Sequence, residues 1–395
     1  MSYTETTTTS WFTRIKNALI GILVGIVLIL VSIYFLFWNE GRAIQTYRSL
    51  VEGAGLVVSV DSARTDPAND GKLIHITGPV KAEGTVSDDQ FAVEADGALA
   101  IVRNVEMYQW VEKSESKTEK NLGGSEETTT TYSYSKEWRS SPVDSADFKV
   151  PDGHENPSFA VDAKRIVVDS ATVGAFVLDG SQVANLGDDK QIRLTEEDVS
   201  RIGSEIATDR PVKFNQGDIY LGSSASSPQI GDMKIGFERT DLAEASFVGA
   251  QKGDRIEAYT STNGREILLS AAGKKDAPAM FAQAQQENTI ITWLIRAGGL
   301  LGLFIGFKLM TMILPVLGDV VPFIGSIVSF GTGILALVFT LVVGPLVIAI
   351  GWFAYRPALA IGIIASSLLL AAAFIYLRRK AAAAATTQPA LGRTG

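Results

Sequence analysis

The chain has 395 residues, 46% of them hydrophobic and 20% charged, with a net charge of −8 and no cysteine. The missing cysteine excludes disulfides, thiolate metal sites and a cysteine nucleophile. Residues 39–286 hold 26 of the 35 basic and 40 of the 43 acidic residues, a net charge of −14 that disfavours binding to nucleic acid.

Residues 1–16 begin with the low-complexity run MSYTETTTTS and read as a disordered cytoplasmic tail. Arg14 and Lys16 precede an uncharged run over 17–38 that ends in Phe35, Phe37 and Trp38. The run is longer than the apolar part of a signal peptide, and its aromatic end suits a retained transmembrane helix.

Residues 39–286 carry mostly short strand signals, at 56–60, 73–76, 91–93 and 98–102, each bounded by turn-forming residues. The most legible pair is 105–112 (VEMYQWVE) and 131–140 (TYSYSKEWRS). Tyr108 and Trp110 share one face of the first run; Tyr132, Tyr134, Lys136 and Trp138 share one face of the second. Period-two patterning on both sides of a polar link at 113–128 predicts an antiparallel hairpin with aromatic cross-strand pairs. Those five aromatics are solvated ribbon residues or, alternatively, a partner surface. Residues 194–202 predict a helix capped by Thr195, with acids in its first turn. Strand spacing returns at 233–239, 245–250, 255–259 and 266–270, and 276–287 reads as a helical approach to the membrane. The segment is therefore α+β, with mainly antiparallel sheet.

The apolar character peaks over 289–377. The span at 290–317 carries only Arg296 and Lys308, about 18 Å apart along a helix, which lets them reach opposite interfaces. Gly298, Gly302 and Gly306 recur every four residues, and Gly21 and Gly25 repeat the spacing in the first span, so the two helices are expected to pack through small residues. Residues 320–355 have no charge but several Gly and Pro, and predict an interfacial lead-in near 322–330 followed by a kinked third span. A fourth span is expected at 357–377 and a cytoplasmic tail at 378–395. Four spans with Arg14, Lys16, Arg378, Arg379 and Lys380 at the outer ends put both termini in the cytoplasm and residues 39–286 outside it. The fold class is a multi-pass α-helical membrane protein with a large extracytoplasmic α+β domain.

Catalytic and metal motifs are scarce. His75 and His154 lie 79 positions apart with no HExxH, and each reads as a packing or turn residue. Ser133 and Lys136 match S-x-x-K, but in a period-two strand their side chains point to opposite faces. The membrane-charge candidates are Arg296, Lys308, Arg356 and Asp319. No cofactor is expected.

An ordered set of short segments resembles the LUMA, or transmembrane protein 43, family of membrane proteins. The set is NEGRA at 39–43, VEMYQWVE at 105–112, YSY followed by EWRS across 132–140, GHENPS at 153–158, GDIY at 217–220, RAGG from Arg296, LMT at 309–311 and GWFAYRP at 351–357. The resemblance implies four spans and a large domain outside the cytoplasm. In animals such proteins reside in the endoplasmic reticulum and inner nuclear membrane, self-associate, and bind lamins and emerin. It assigns no enzymatic residues. The absence of cysteine and the alanines at 381–385 suit a bacterial homologue, which would place residues 39–286 in the periplasm and remove the lamina as a partner. The expected function is a non-enzymatic, self-associating membrane scaffold. Its expected partners are lipids, further copies of itself, and other membrane or envelope proteins. A channel or transporter component is the alternative, and a membrane-bound hydrolase a weaker one.

Overall fold

The structure, a computed structural model, describes residues 2–205, 209–355, 357 and 361. It divides into a sheet unit (Met1–Ser10, Thr46–Asn121 and Ser125–Glu287) and a helical unit (Trp11–Gln45, Leu122–Gly124 and residues from Asn288 onward).

The chain opens with strand β1 (Ser2–Thr9) and helix α1 (Trp11–Leu56), then β2 (Val58–Ser59), β3 (Leu73–Ala82), β4 (Thr85–Asp88) and β5 (Val93–Asp96). The long strands β6 (Ala100–Lys120) and β7 (Glu126–Arg139) follow, then β8 (Lys164–Val167), β9 (Ser170–Val173), β10 (Phe176–Asp179), α2 (Gly180–Ala184) and β11 (Asp188–Ile192). Helix α3 (Glu196–Glu205) precedes β12 (Val212–Asn215), β13 (Asp218–Leu221), β14 (Met233–Asp241), β15 (Glu244–Lys252) and β16 (Arg255–Glu257). Last come β17 (Tyr259–Thr260), β18 (Glu266–Ile267), β19 (Leu269–Ala272), α4 (Ala277–Thr311), α5 (Ile313–Gly318) and α6 (Pro322–Tyr355).

In the sheet unit, one sheet runs β1-β7-β6-β14-β13-β12, with β11 on β14 and β8 on β6. In the other, β3, β15, β16, β10 and β9 pair in a closed circuit, which leaves those five strands without free edges. The shared core is made by alternate residues of these strands. Ile74, Ile76, Ile101, Val105, Met107, Val173, Phe176, Ile235, Phe237 and Phe247 are all buried. A second cluster joins Leu50 of α1, Leu73, Val248, Ile267, and Met280 and Phe281 of α4.

The predicted hairpin is present but longer than its aromatic runs. Strands β6 and β7 pair from Met107↔Arg139 to Lys120↔Glu126, so the link is only 121–125. The Ser, Thr, Glu and Lys residues assigned to a loop continue the alternation, and Thr is a good strand former. The same property overturns the disordered tail: Ser2–Thr9 forms β1, which pairs with β7 over eight residues from Ser2↔Ser133 to Thr9↔Glu126. The expected cap of α3 is a reciprocal box. The Asp198 amide donates to Thr195 Oγ1 (3.2 Å), and the Thr195 amide donates to Asp198 Oδ2 (2.9 Å).

Among the described residues three helices are long and apolar enough to cross a membrane: α1, α4 together with α5, and α6. Helix α6 is continuous from Pro322 through Pro345 to Tyr355, so the residues expected as a lead-in, 322–330, form its first turns. Pro322 stands at the first helical position, where its missing N–H costs nothing. The expected fourth span at 357–377, the tail at 378–395 and Arg356 lie outside the described residues, apart from 357 and 361.

Candidate functional site

Within the helical unit, charged groups gather at two levels with an apolar stretch between them. The first level is built on α1 directly after its apolar run, where Asn39 and Glu40 are almost completely buried, at 0% and 2% exposure. Burying a carboxylate is costly unless it is paired, and Arg296 of α4 supplies the pair. Its Nε donates to Glu40 Oε1 at 2.7 Å and its Nη2 to Glu40 Oε2 at 2.8 Å. Trp352 of α6 donates its indole N–H to the same Oε2 at 2.8 Å. The Arg296 guanidinium also lies 4.8 Å from the centre of the Trp293 ring and 5.9 Å from that of Trp352.

Asn288, Thr292 and Arg296 recur every four residues, so one face of α4 presents all three to α1. Arg42 donates to Asn288 Oδ1 (3.0 Å), Thr292 Oγ1 (2.9 Å) and Asn39 Oδ1 (3.1 Å). Asn39 Nδ2 donates to the Thr292 carbonyl at 3.1 Å, and Asn288 Nδ2 to that of Ala43 at 3.0 Å. Two glycines make room for this cluster. A Cβ on Gly351 would come within 2.9 Å of Glu40 Cγ, and one on Gly41 within 2.6 Å of the Tyr355 ring. Each polar group has a partner within the cluster, so the arrangement clamps three helices together and presents no open acid, base or nucleophile.

At the second level Arg14 forms a buried ion pair with Asp319 and donates to the Gly124 carbonyl at 2.6 Å. Trp11 Nε1 donates to the Val316 carbonyl (2.8 Å), and the Gly123 amide to that of Val320 (3.0 Å). Between the levels Leu36, Leu303 and Val347 are buried against Ile29, Ile33, Phe37, Leu300, Phe307 and Val343.

The glycines expected to pack fall into two groups. A Cβ on Gly25 would meet the Gly306 carbonyl at 2.7 Å, one on Gly306 would meet Ile29 Cγ1 at 2.6 Å, and Gly302 faces Ser32 Oγ. Gly21 has ordinary contact with Met312 Sδ at 3.6 Å, and Gly298 faces open space. The close approach at that end falls on Gly299, where a Cβ would lie 2.6 Å from Leu36 Cγ. Lys308 is exposed.

The five aromatics of the sheet unit are all engaged within the chain. Tyr108 packs on Trp138 (ring centres 5.2 Å apart), Trp138 also meets Tyr220 (6.2 Å), and Lys234 Nζ sits 4.1 Å above the Trp138 ring. Tyr132 neighbours Tyr3 of β1 at 6.2 Å. Tyr134 is buried and stacks on His154 at 4.0 Å, and Trp110 meets the same imidazole edge-on at 4.7 Å. The Tyr134 hydroxyl donates to Glu112 Oε2 at 2.7 Å; burial, followed by that carboxylate, pushes its pKa above the ordinary tyrosine value. His154 Nδ1 is fixed on the Val150 carbonyl at 3.0 Å, and Asn156 closes the loop by accepting from the Trp110 amide (2.7 Å) and donating to its carbonyl (2.9 Å).

His75 is held between Ser59 Oγ (3.0 Å) and the Lys275 carbonyl (2.8 Å). Ser133 Oγ donates to the Lys113 carbonyl at 3.3 Å, while the Lys136 ammonium lies 4.7 Å above the Trp110 ring, so the two do not form a dyad. Among the described residues no group of three His, Asp or Glu side chains is placed to hold a metal ion.

The sequence reading singled out Arg296 but not its partner Glu40. The available signal was an acid and an amide lying immediately past an apolar run, in NEGRA. The structure brings together three of the segments on which the family resemblance rests, NEGRA, RAGG and GWFAYRP, in the first cluster. Three others, VEMYQWVE, the YSY run and GHENPS, meet around His154.

Comparison with known proteins gives the same grouping. The profile of the Transmembrane protein 43 family matches residues 107–357. The chain is 33% identical to mouse Transmembrane protein 43 over 367 residues, 89% of each chain. It is 32% identical to the human protein, over 90% of this chain and 89% of the human one, and 29% identical to a Drosophila homologue, over 85% of this chain and 89% of that one. No solved structure matches. With three membrane-capable helices, a large β-rich unit and this extent of identity, the chain is an integral membrane protein that belongs to the Transmembrane protein 43 family.

Proposed function

We propose that the protein is a non-enzymatic membrane scaffold that self-associates through its helices and presents the acidic β-rich unit as a platform for other membrane or envelope proteins. The observation that carries this reading is the clamp of Glu40, Arg296 and Trp352. In the membrane-capable part of the chain, buried charge is a functional candidate by default. Here that charge is used up in joining α1, α4 and α6. Such a unit is suited to holding a geometry and not to turning over a substrate.

The glycines that admit close helix approach within one copy, Gly25, Gly299, Gly302 and Gly306, are occupied by α1–α4 packing. Contacts between copies therefore use outward apolar faces, such as that of Phe323, Ile327 and Phe330 on α6. Multi-angle light scattering of the protein in nanodiscs or mild detergent tests the proposal: a discrete oligomer is expected, and a strict monomer across a wide concentration range overturns it.

A further inference from the structure

We infer that α4 carries a docking face for a transmembrane helix of another protein, and that this partner helix bears an aspartate or glutamate near the middle of the bilayer, opposite Lys308. Such docking presupposes that the protein is a scaffold for other membrane proteins, and adds the chemistry of one of them.

Lys308 lies deep between the two charged levels of the helical unit. It stands twelve residues from Arg296, about 18 Å along α4 at about 1.5 Å per residue. A Cβ on Gly25 would come within 3.1 Å of Leu309 Cβ and of the Met310 amide nitrogen, so Gly25 of α1 is level with this part of α4. Gly25 is in turn eleven residues from Arg14, about 17 Å along α1. The hydrocarbon core of a bilayer is about 30 Å thick, so an ammonium near the midpoint between the Arg14 and Arg296 levels is too deep for its flexible stem to carry it to either interface. The sequence expectation that Lys308 reaches an interface gives way to this depth.

Among the described residues the Lys308 ammonium makes no hydrogen bond or ion pair. The sequence of the helical unit holds only two acids, Glu40 and Asp319. Glu40 is bound by Arg296 and Trp352, and Asp319 by Arg14. The expected fourth span at 357–377 contains no acid. No span of this chain or of a second copy therefore has a carboxylate to spare, whereas a charge inside a membrane is tolerated when it is paired. Charge complementarity selects a foreign helix with a carboxylate at this level. A lipid phosphate, confined to the headgroup region, does not reach it.

The surroundings of Lys308 suit a helix. One side of α4 turns Gly299, Gly302 and Gly306 to α1, against Leu36, Ser32 and Ile29, and the next turns Leu300 and Phe307 to α6, against Gly344 and Phe339. Leu294, Gly298, Leu301, Ile305 and Lys308 fall on the remaining side in alternating steps of four and three, the spacing of a helix–helix seam. All five are exposed, and a Cβ on Gly298 would meet nothing within 4 Å. Gly298 is thus the small residue that packing on α1 leaves unused, and in this seam it admits a second backbone at close approach.

The probe is a dansyl-labelled oligo-leucine transmembrane peptide with one aspartate at its centre, compared with the same peptide carrying leucine there. With the full chain in phosphatidylcholine vesicles, energy transfer from the protein's tryptophans should reach half-saturation at about tenfold lower density of the aspartate peptide. Lys308→Met should abolish that preference, Lys308→Asp should transfer it to a peptide with a central lysine, and Gly298→Ile should weaken binding of the aspartate peptide. Far-UV circular dichroism should be unchanged in all three variants, since both positions are exposed. Equal half-saturation for the two peptides, or a preference that survives Lys308→Met, overturns the inference. So does a thermal stabilisation by phosphatidylglycerol that Lys308→Met removes while no peptide preference exists, which assigns the ammonium to a lipid. A protein that is monomeric by light scattering yet prefers the aspartate peptide keeps this face and loses self-association; a discrete oligomer without the preference does the reverse.

Discussion

Replacing Glu40 by Gln removes the charge at the centre of the helical clamp while keeping its size and one acceptor oxygen. The Arg296 guanidinium would then stay where the structure places it, with side-chain exposure of only 11% and no carboxylate within reach in the cluster. Opposite charges about 4 Å apart attract by about 4 kcal/mol at an effective dielectric near 20, and stranding one member of a buried pair typically costs about 3–5 kcal/mol. E40Q is therefore expected to destabilise the helical unit by about 3–5 kcal/mol. Pairing it with Arg296→Met removes both charges together, and since buried pairs are often replaceable by apolar groups at little cost, the double variant should regain at least half of the loss. The assay is SDS-induced unfolding in mixed micelles followed by far-UV circular dichroism. Tryptophan emission adds a local readout, because Trp293 and Trp352 both flank the guanidinium. If E40Q unfolds within about 0.5 kcal/mol of the parent, or if the two substitutions add without coupling, the clamp does not hold the helices.

Two further outcomes follow from the geometry. Gly25→Ala forces a methyl against the Gly306 carbonyl and should cost about 1–3 kcal/mol in the same assay. Gly298→Ala enters open space and should be neutral, or stabilising by up to about 1 kcal/mol through helix propensity; the reverse order would place α1–α4 packing on the wrong glycines. In the sheet unit, Glu137 is held by Lys113 (2.6 Å), Ser135 (2.9 Å) and Arg139 (2.6 Å), which lowers its pKa to about 2 from the ordinary 4.5. The folded state thus binds the proton more weakly than the unfolded state does. The contribution is complete above about pH 4.5 and is lost as pH falls towards 2. The difference in thermal midpoint between Glu137→Gln and the parent, read by near-UV circular dichroism, should be present at pH 7 and vanish near pH 2; a difference unchanged by acid contradicts the assignment.

Much of the architecture is carried by local pattern. The apolar runs at 17–38 and 290–317 lie within α1 and α4–α5, because transfer into hydrocarbon adds up residue by residue along a helix. Strict alternation from Tyr108 to Trp110 and from Tyr132 to Trp138 specifies the hairpin and the residues that share a face, while the register, Tyr108 with Trp138 and Trp110 with Lys136, is fixed by the short 121–125 turn that only the structure shows. The Thr195–Asp198 box is likewise complete within four residues. The Thr-rich β1 and the Ser-, Glu- and Lys-rich far half of β6, which flank β7 on its two sides, were less legible, since such compositions suit a solvated tail or loop when no neighbouring strand is in view.

Membrane character, the mainly antiparallel sheet and family membership were thus determined by the sequence alone, all of them properties that sum or repeat along the chain. Tertiary structure alone decided which groups meet. Glu40 finds Arg296 across 256 positions, and β1 finds β7 across more than a hundred. Gly299 is closed while its neighbour Gly298 stays open. The physical reason is that burying a charge or a glycine face is decided by the opposing helix, and pairing an edge strand by the strand beside it. These energies depend on two partners at once, and only one of them is present in any local stretch of sequence.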